Sequence, residues 1–297
     1  MNILIAGGSG FVGHSLSKVL SLDHDLTLLS RKKDKINSYY KEVLLWDDLS
    51  DTIMNKFNIV INLCGHNISN SRWSPKIKKM IISSRVKTTE NLIKFIGQKN
   101  IWLINASAIG FYKFSALRQD EKNYLEIDQS NLSFCQQVTH KWEYLVTSSG
   151  LCKWTILRFG VVIGSGGMID KLMPTVKLGL GAILGDGVQL VSWVSLNDLC
   201  LAIDFIIKKR IFFEALNITS PNPSSQKKLI ADLCDVLNKP RWFKIHKKIV
   251  CFLFGEMGKE LLLSQHNIYP QSLIDYGFKF QDVQIEECIK KIVGKDI

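Results

Sequence analysis

The segment Ile3-Leu4-Ile5-Ala6-Gly7-Gly8-Ser9-Gly10-Phe11-Val12-Gly13 constrains this chain more than any other. Its apolar start reads as a buried parallel strand. The run then meets glycines at 7, 8, 10 and 13, and a helical pattern extends from Phe11 to Leu20. Gly7, Gly10 and Gly13 give the spacing G-x-x-G-x-x-G. Gly7 permits a tight turn out of the strand, Gly10 lets backbone approach a pyrophosphate, and Gly13 lets the helix pack closely. The helix N-terminus offers free N–H groups and partial positive charge to phosphates. Glycines alone carry little weight; glycines between a strand and a helix imply a dinucleotide site.

The next strand bears on which dinucleotide. Leu26-Thr27-Leu28-Leu29 ends at Ser30-Arg31-Lys32-Lys33. A binder of NAD usually places Asp or Glu here, about 20 residues past the glycines, to accept from the ribose hydroxyls. A carboxylate would repel a 2′-phosphate, whereas Arg31 can pair with one through two parallel hydrogen bonds. NADP(H) is therefore the expected cofactor. Lys32 and Lys33 read as an ordinary solvated loop.

The chain has 297 residues, 46% of them hydrophobic, enough for one large or two modest domains with a sizeable core. No apolar stretch reaches the roughly 18 residues of a membrane helix, and the candidate Ile249–Phe254 is far shorter. No secretory signal is visible. The seven cysteines, at 64, 135, 152, 200, 234, 251 and 288, form no C-x-x-C. Reduced thiols, a cytoplasmic setting and no metal site are expected. The net charge of +11 comes largely from lysine pairs scattered along helical patterns, without interleaved aromatics. That pattern argues against nucleic acid as a partner. It suits an anionic cofactor and an anionic small-molecule substrate, with no membrane partner expected.

Strand-like runs near 2–6, 25–30, 57–62, 101–105 and 153–158 alternate with helical patterns near 11–21, 75–98 and 131–149. This alternation predicts an α/β fold, a doubly wound parallel sheet covered on both faces. Glycines then mark loops around a short helix near 168–178. A further βα unit follows, with Val191-Ser192-Trp193-Val194 and a helix near 196–208. A strand at 215–218 leads to the breaker Pro221-Asn222-Pro223. The expected organisation is a cofactor domain, 1–165 plus 190–220, and a smaller, mainly helical substrate-side domain, 166–189 plus 221–297.

Several segments carry a family resemblance: Gly7-x-x-Gly10-x-x-Gly13, Asn62-Leu63-Cys64-Gly65, Ala106-Ser107-Ala108 and Arg158-Phe159-Gly160-Val161-Val162-Ile163-Gly164. Together they resemble extended short-chain dehydrogenases/reductases, the nucleotide-sugar epimerase group with its Rossmann fold. Asn67-Ile68 with Arg72-Trp73, Ser84-Arg85-Val86, Trp142-Glu143, Lys177-Leu178-Gly179-Leu180-Gly181 and Gly255-Glu256-Met257 are similar to a subfamily of YfcH type, the last in its characteristic C-terminal segment. The resemblance implies NADP(H) held by Gly7, Ser9, Gly10, Phe11, Val12 and Gly13, by Ser30 and Arg31, and by Trp46 and Asp47 near the adenine. It extends the site to Asn62, Leu63, Cys64 and Gly65, to Arg85, and to Ala106 and Ser107.

The resembling dehydrogenases use a Ser or Thr, then a Tyr base, then a Lys four residues later that lowers the tyrosine pKa. That spacing puts Tyr and Lys on one helix face. Here the tyrosines at 39, 40, 112, 124, 144, 269 and 276 are followed four residues on by Val43, Leu44, Ala116, Asp128, Ser148, Leu273 and Phe280. The pair is missing. Alignment on Trp142-Glu143 puts Cys135 and Thr139 in its place. A Cys needs a cationic neighbour to act as a base, so Cys135 reads as a packed thiol. The remaining catalytic candidates are Ser107 as a donor to substrate, Tyr112 five residues on, and His66 after the Asn62–Gly65 turn. Arg72, Trp73, Arg85 and Trp193 are candidates to line the cleft, and Trp193 reads equally as core. Two functions fit: an NADP(H)-dependent oxidoreductase or epimerase-like enzyme of unknown substrate, or a non-catalytic dinucleotide-binding module that controls a partner protein.

Overall fold

The computed structural model describes residues 1–33, 37–241 and 243–294. The C-terminal residues 295–297 of the expected substrate-side domain, and residue 242 within it, lie outside the described residues. A seven-stranded parallel sheet forms the centre. Its strands are β1 (Asn2–Ala6), β2 (Asp25–Ser30), β3 (Glu42–Leu45), β4 (Ile59–Asn62), β5 (Trp102–Ala108), then Lys153–Phe159 and Glu214–Ile218. In space the order is Glu214–Ile218, Lys153–Phe159, β5, β4, β1, β2, β3. The chain thus runs outward from β1 through β2 and β3, then returns to β4 and builds the other half. The crevice between the carboxyl ends of β1 and β4 is where such a sheet receives a ligand.

Each strand anticipated in the sequence forms. β3 is an addition to the sequence reading: it has four residues, begins at Glu42 and buries only Leu44 fully, so it lacks the apolar run of its neighbours. Ile3, Leu4, Ile5 and Ala6 are wholly buried because both faces of the sheet are covered. On one face Ile3, Ile5, Ile59 and Ile104 pack with Leu16 and Leu20 of helix α1 (Phe11–Leu20) and with Ile203 and Ile206 of helix Leu196–Lys209. On the other, Leu4, Val60, Leu103 and Ile156 pack with Leu92 and Ile96 of helix Pro75–Ile96 and Val146 of helix Phe134–Thr147.

A second core joins Ile169, Val176, Trp193, Leu229, Leu233, Ile285 and Ile289. Trp193 is fully buried there and donates its indole N–H to the Asn222 carbonyl at 2.8 Å, so it is a core residue and not a cleft wall. The C-terminal region is mainly helical, with Gln226–Val236, Lys247–Met257, Gln271–Asp275 and Ile285–Val293 tied in by short strands. It does not part cleanly from the sheet: Leu273 and Phe278 belong to the first core.

Candidate functional site

The cofactor candidates gather along the carboxyl edge of the sheet. Gly7 leaves β1 with φ +80, a left-handed backbone that favours glycine. A Cβ on it would lie 2.9 Å from the Leu63 carbonyl carbon and 3.0 Å from the Cys64 nitrogen, so the turns after β1 and β4 touch backbone to backbone. Gly13 sits in the first turn of α1, where a Cβ would overlap Gly8 Cα and fall 2.7 Å from the Gly7 oxygen. The close approach is to the glycine loop itself, more than to the sheet. Gly10 caps α1 without a side-chain hydrogen bond, so the first-turn N–H groups of Phe11, Val12 and Gly13 keep their donors for a ligand. Ser9 and Gly10 are exposed beside them. The Phe11 ring lies against the Gly164–Gly167 loop, closing that side.

Ser30 ends β2 and its hydroxyl accepts the Lys32 N–H at 3.3 Å. Arg31, Lys32 and Lys33 are all exposed. Burial pushes the Cys64 thiol up to about 12, and the nearby Arg31 charge offsets only part of this. Arg31 and Cys64 thus flank the Gly7 turn from β2 and β4. Trp46 and Asp47 lie in the short turn after β3, the indole half-buried and the carboxylate exposed.

Asn62 has its whole side chain committed to protein. Its amide donates to Thr89 Oγ1 at 2.9 Å and Asn105 Oδ1 at 2.7 Å, and its oxygen accepts the Cys64 N–H at 3.1 Å. It therefore shapes the Leu63–Gly65 turn and leaves ligand contact to others. Ala106 and Ser107 end β5 opposite Leu157 and Arg158. Arg85 caps the turn from helix Pro75–Ile96, donating to the His66 and Ile81 carbonyls at 3.0 Å each.

The catalytic candidates are drawn inward. Ser107 is 3% exposed and donates its hydroxyl to Glu143 Oε1 at 2.6 Å. Arg158 holds the same carboxylate through Nε at 3.0 Å and Nη2 at 2.7 Å. Burial disfavours the Arg158 charge, but Glu143 overrides it and keeps the guanidinium more firmly protonated than usual. Arg158 Nη1 donates to Tyr112 at 3.0 Å, and the Tyr112 hydroxyl donates to Asn217 Oδ1 at 2.8 Å. Tyr112 is completely buried, and burial pushes its phenol up to about 12. The sequence reading of Tyr112 as a cleft residue gives way to a core role. Ser107 as a donor to substrate gives way as well, since its proton already goes to Glu143. His66 is anchored by its backbone, its N–H on Ser84 Oγ at 2.8 Å, and its imidazole finds no partner among the described residues.

The positions aligned with the missing Tyr and Lys are closed. Burial, then the adjacent Glu260 carboxylate, push the Cys135 thiol far above its usual range. Thr139 turns its hydroxyl back to the Cys135 carbonyl at 2.9 Å. Glu260 reaches from the C-terminal segment to accept the Phe134 and Cys135 N–H groups at 3.0 and 2.9 Å. Arg72 donates to the Phe252 carbonyl at 3.2 Å, and Trp73 packs edge-on against Phe134, 8% exposed. Sequence reading missed the Ser107–Glu143–Arg158–Tyr112–Asn217 chain. The available signal was a lone arginine inside the apolar strand Lys153–Phe159 and a lone glutamate on the buried face of an amphipathic helix. Buried charges of that kind are almost always paired.

An open parallel sheet with a glycine-rich turn at its reversal point and an uncapped helix aimed into the crevice defines a Rossmann-type dinucleotide-binding protein. The chain belongs to the NAD dependent epimerase/dehydratase family, whose pattern matches residues 3–218, followed by a domain of unknown function (DUF1731) over 247–292. It is 32% identical to epimerase family protein Mb2239 of Mycobacterium bovis, over 97% of this chain and 96% of that one. It is 28% identical to epimerase family protein YfhF of Bacillus subtilis, over 99% and 98%. Among solved structures, human epimerase family protein SDR39U1 with NADPH superposes with a TM-score of 0.86 at 24% identity, covering 99% of both chains. UDP-glucuronic acid 4-epimerase from Bacillus cereus, in complex with UDP-glucuronic acid and NAD, gives 0.76 at 17% identity over all of both chains.

Proposed function

We propose that this chain is an NADP(H)-binding, epimerase-like oxidoreductase that works on a small molecule without the tyrosine–lysine base of its wider family. The observation that carries the reading is the glycine cradle over the N-terminus of α1, with Arg31 in place of an acidic residue after β2. A pyrophosphate suits the free N–H groups of Phe11, Val12 and Gly13, and a 2′-phosphate suits the Arg31 guanidinium. The NADPH in the human SDR39U1 structure supports the same preference. Bound NADP(H) supplies or accepts a hydride, which demands orientation more than an acid. Asn62 fixes the turn after β4, and Gly7 and Gly13 fix the phosphate loop. Ser107, with its proton held by Glu143, presents only acceptor lone pairs toward a substrate.

A second reading, a non-catalytic module whose dinucleotide occupancy controls a partner protein, draws on the same network. Ser107, Tyr112 and Thr139 spend their hydroxyls within the protein and the buried Cys135 thiol is held protonated, so none of these four stands ready as a general base, which leaves His66. Losing a positioned base typically costs on the order of 10²–10⁴-fold in rate. A screen of sugar nucleotides and small carbonyls, following NADPH and product, separates the two. Slow turnover that Ser107→Ala abolishes supports the enzyme. Turnover near about 1–10³ per second on a sugar nucleotide would refute the missing-base argument.

A further inference from the structure

Of the residues in helix Lys247–Met257, only Val250 and Met257 are buried. Yet Ile249, Val250, Cys251, Phe252, Leu253 and Phe254 are six apolar residues in a row. Phe252 is 78% exposed, and Ile249 and Leu253 are 51% exposed each. Positions 249, 252 and 253 fall on one helix face, so they make an apolar stripe toward solvent. Gly255, with φ +60, breaks the helix after Phe254, and Met257 beyond the break packs in the cluster of Trp73 and Phe134. Leu178 and Leu180, also exposed, stand at the same corner. The strand Ala182–Leu184 pairs with Phe243–Ile245, which runs into the helix, and a Cβ on Gly179 would lie 3.6 Å from Pro240. An exposed apolar patch with a polar rim marks an interaction face.

Charge decides what covers it. No acidic residue stands between Asp235 and Glu256, whereas Lys239, Arg241, Lys244, Lys247 and Lys248 all do. Arg241 is paired with Asp235 at 3.1 Å. The four lysines are exposed and have no ion pair among the described residues. A second copy of this chain would bring two such cationic segments together, which like-charge repulsion opposes. A bilayer with anionic headgroups accepts both features at once. Apolar side chains enter at headgroup depth, while lysine stems lie along the surface and keep their ammonium groups on the phosphates. We propose that this corner docks the protein on an anionic lipid surface, with Ile249, Phe252 and Leu253 inserted and Lys244, Lys247 and Lys248 on the headgroups. No helix among the described residues is long and apolar enough to cross a membrane, but a helix lying on the surface needs no such length. The expectation of no membrane partner drew on spanning length and did not bear on a helix of this kind. Docking holds the crevice beside the lipid, because Arg72, from the loop after β4, donates to the Phe252 carbonyl.

Vesicles of phosphatidylcholine, with and without phosphatidylglycerol, are floated with the whole chain at low and high salt. Retention is expected on the phosphatidylglycerol vesicles, falling as salt rises. Phe252→Ser with Leu253→Ser, and separately Lys247→Glu with Lys248→Glu, should each weaken it about tenfold or more. All four side chains are exposed, so the thermal midpoint and NADPH affinity of both double variants should match the parent. Three results overturn the proposal: no retention on phosphatidylglycerol vesicles, equal retention on phosphatidylcholine alone, or full retention of the Phe252→Ser, Leu253→Ser variant. A fallen midpoint in that variant would show the stripe to be packed within the protein, and would overturn it too. Sedimentation velocity covers the remaining occupant. A dimer that the same variant dissolves would give the stripe to a second copy and refute the lipid assignment.

Discussion

Glu143→Ala probes the polar chain beneath the site. The side chains of Glu143 and Arg158 are each 7% exposed. The substitution removes the acceptor of the Ser107 hydroxyl and both oxygens that hold Arg158. Arg158 cannot swing into water, because it stacks on Phe111 with Cζ 3.5 Å from the ring centre and bonds Tyr112. Stranding one member of a buried pair costs about 3–5 kcal/mol. A chain of 297 residues unfolds with an entropy near 2.1 cal/mol/K per residue, so that loss lowers the midpoint by about 5–8 °C. Differential scanning calorimetry reads it. Replacing both partners by apolar residues, Glu143→Leu with Arg158→Met, should recover most of the loss, because no charge is then stranded. A midpoint unchanged within about 1 °C in Glu143→Ala would show that the pair is not a structural unit. A double variant no better than the single would contradict the stranded-charge explanation.

Gly13→Val should abolish NADPH binding or folding, because the branched side chain must displace the Gly7–Gly8 backbone; a folded variant with normal NADPH titration would contradict the loop geometry. Burial lowers His266 to about 4 from an ordinary value of 6.5, and its Nδ1 is buried without a partner. A depressed folded pKa contributes stability above 6.5 that drains away as pH falls from 6.5 through 4, about 3 kcal/mol in all. His266→Gln should flatten the midpoint between pH 7 and 4.5, and an unchanged acid slope would rule His266 out.

How much was legible in the residues depended on how local the cause was. The strands and the phosphate loop are written in contiguous apolar runs and glycine spacing, so Gly7, Gly10, Gly13 and the edge at Asn62 could be placed before any coordinate. β3 escaped because an edge strand of four residues, three of them not fully buried, has no distinctive period. Tyr112 misled because sequence nearness to Ser107 says nothing of facing. The chain bends after Ala108, and the ring enters the core against Asn217, 105 residues away. Glu143 and Arg158 are 15 residues apart on different elements, and only their shared burial shows that they are partners. Glu260 at the N-terminus of helix Phe134–Thr147 is a contact across 126 residues, beyond any local pattern.

Parallel titrations of the purified protein with NADPH and NADH, repeated on Arg31→Ala, test the central claim most directly. The unmodified protein should bind NADPH at least about tenfold more tightly, a difference of about 1.4 kcal/mol, and Arg31→Ala should erase most of that preference. Superimposable curves for the two cofactors in the unmodified protein would contradict the account.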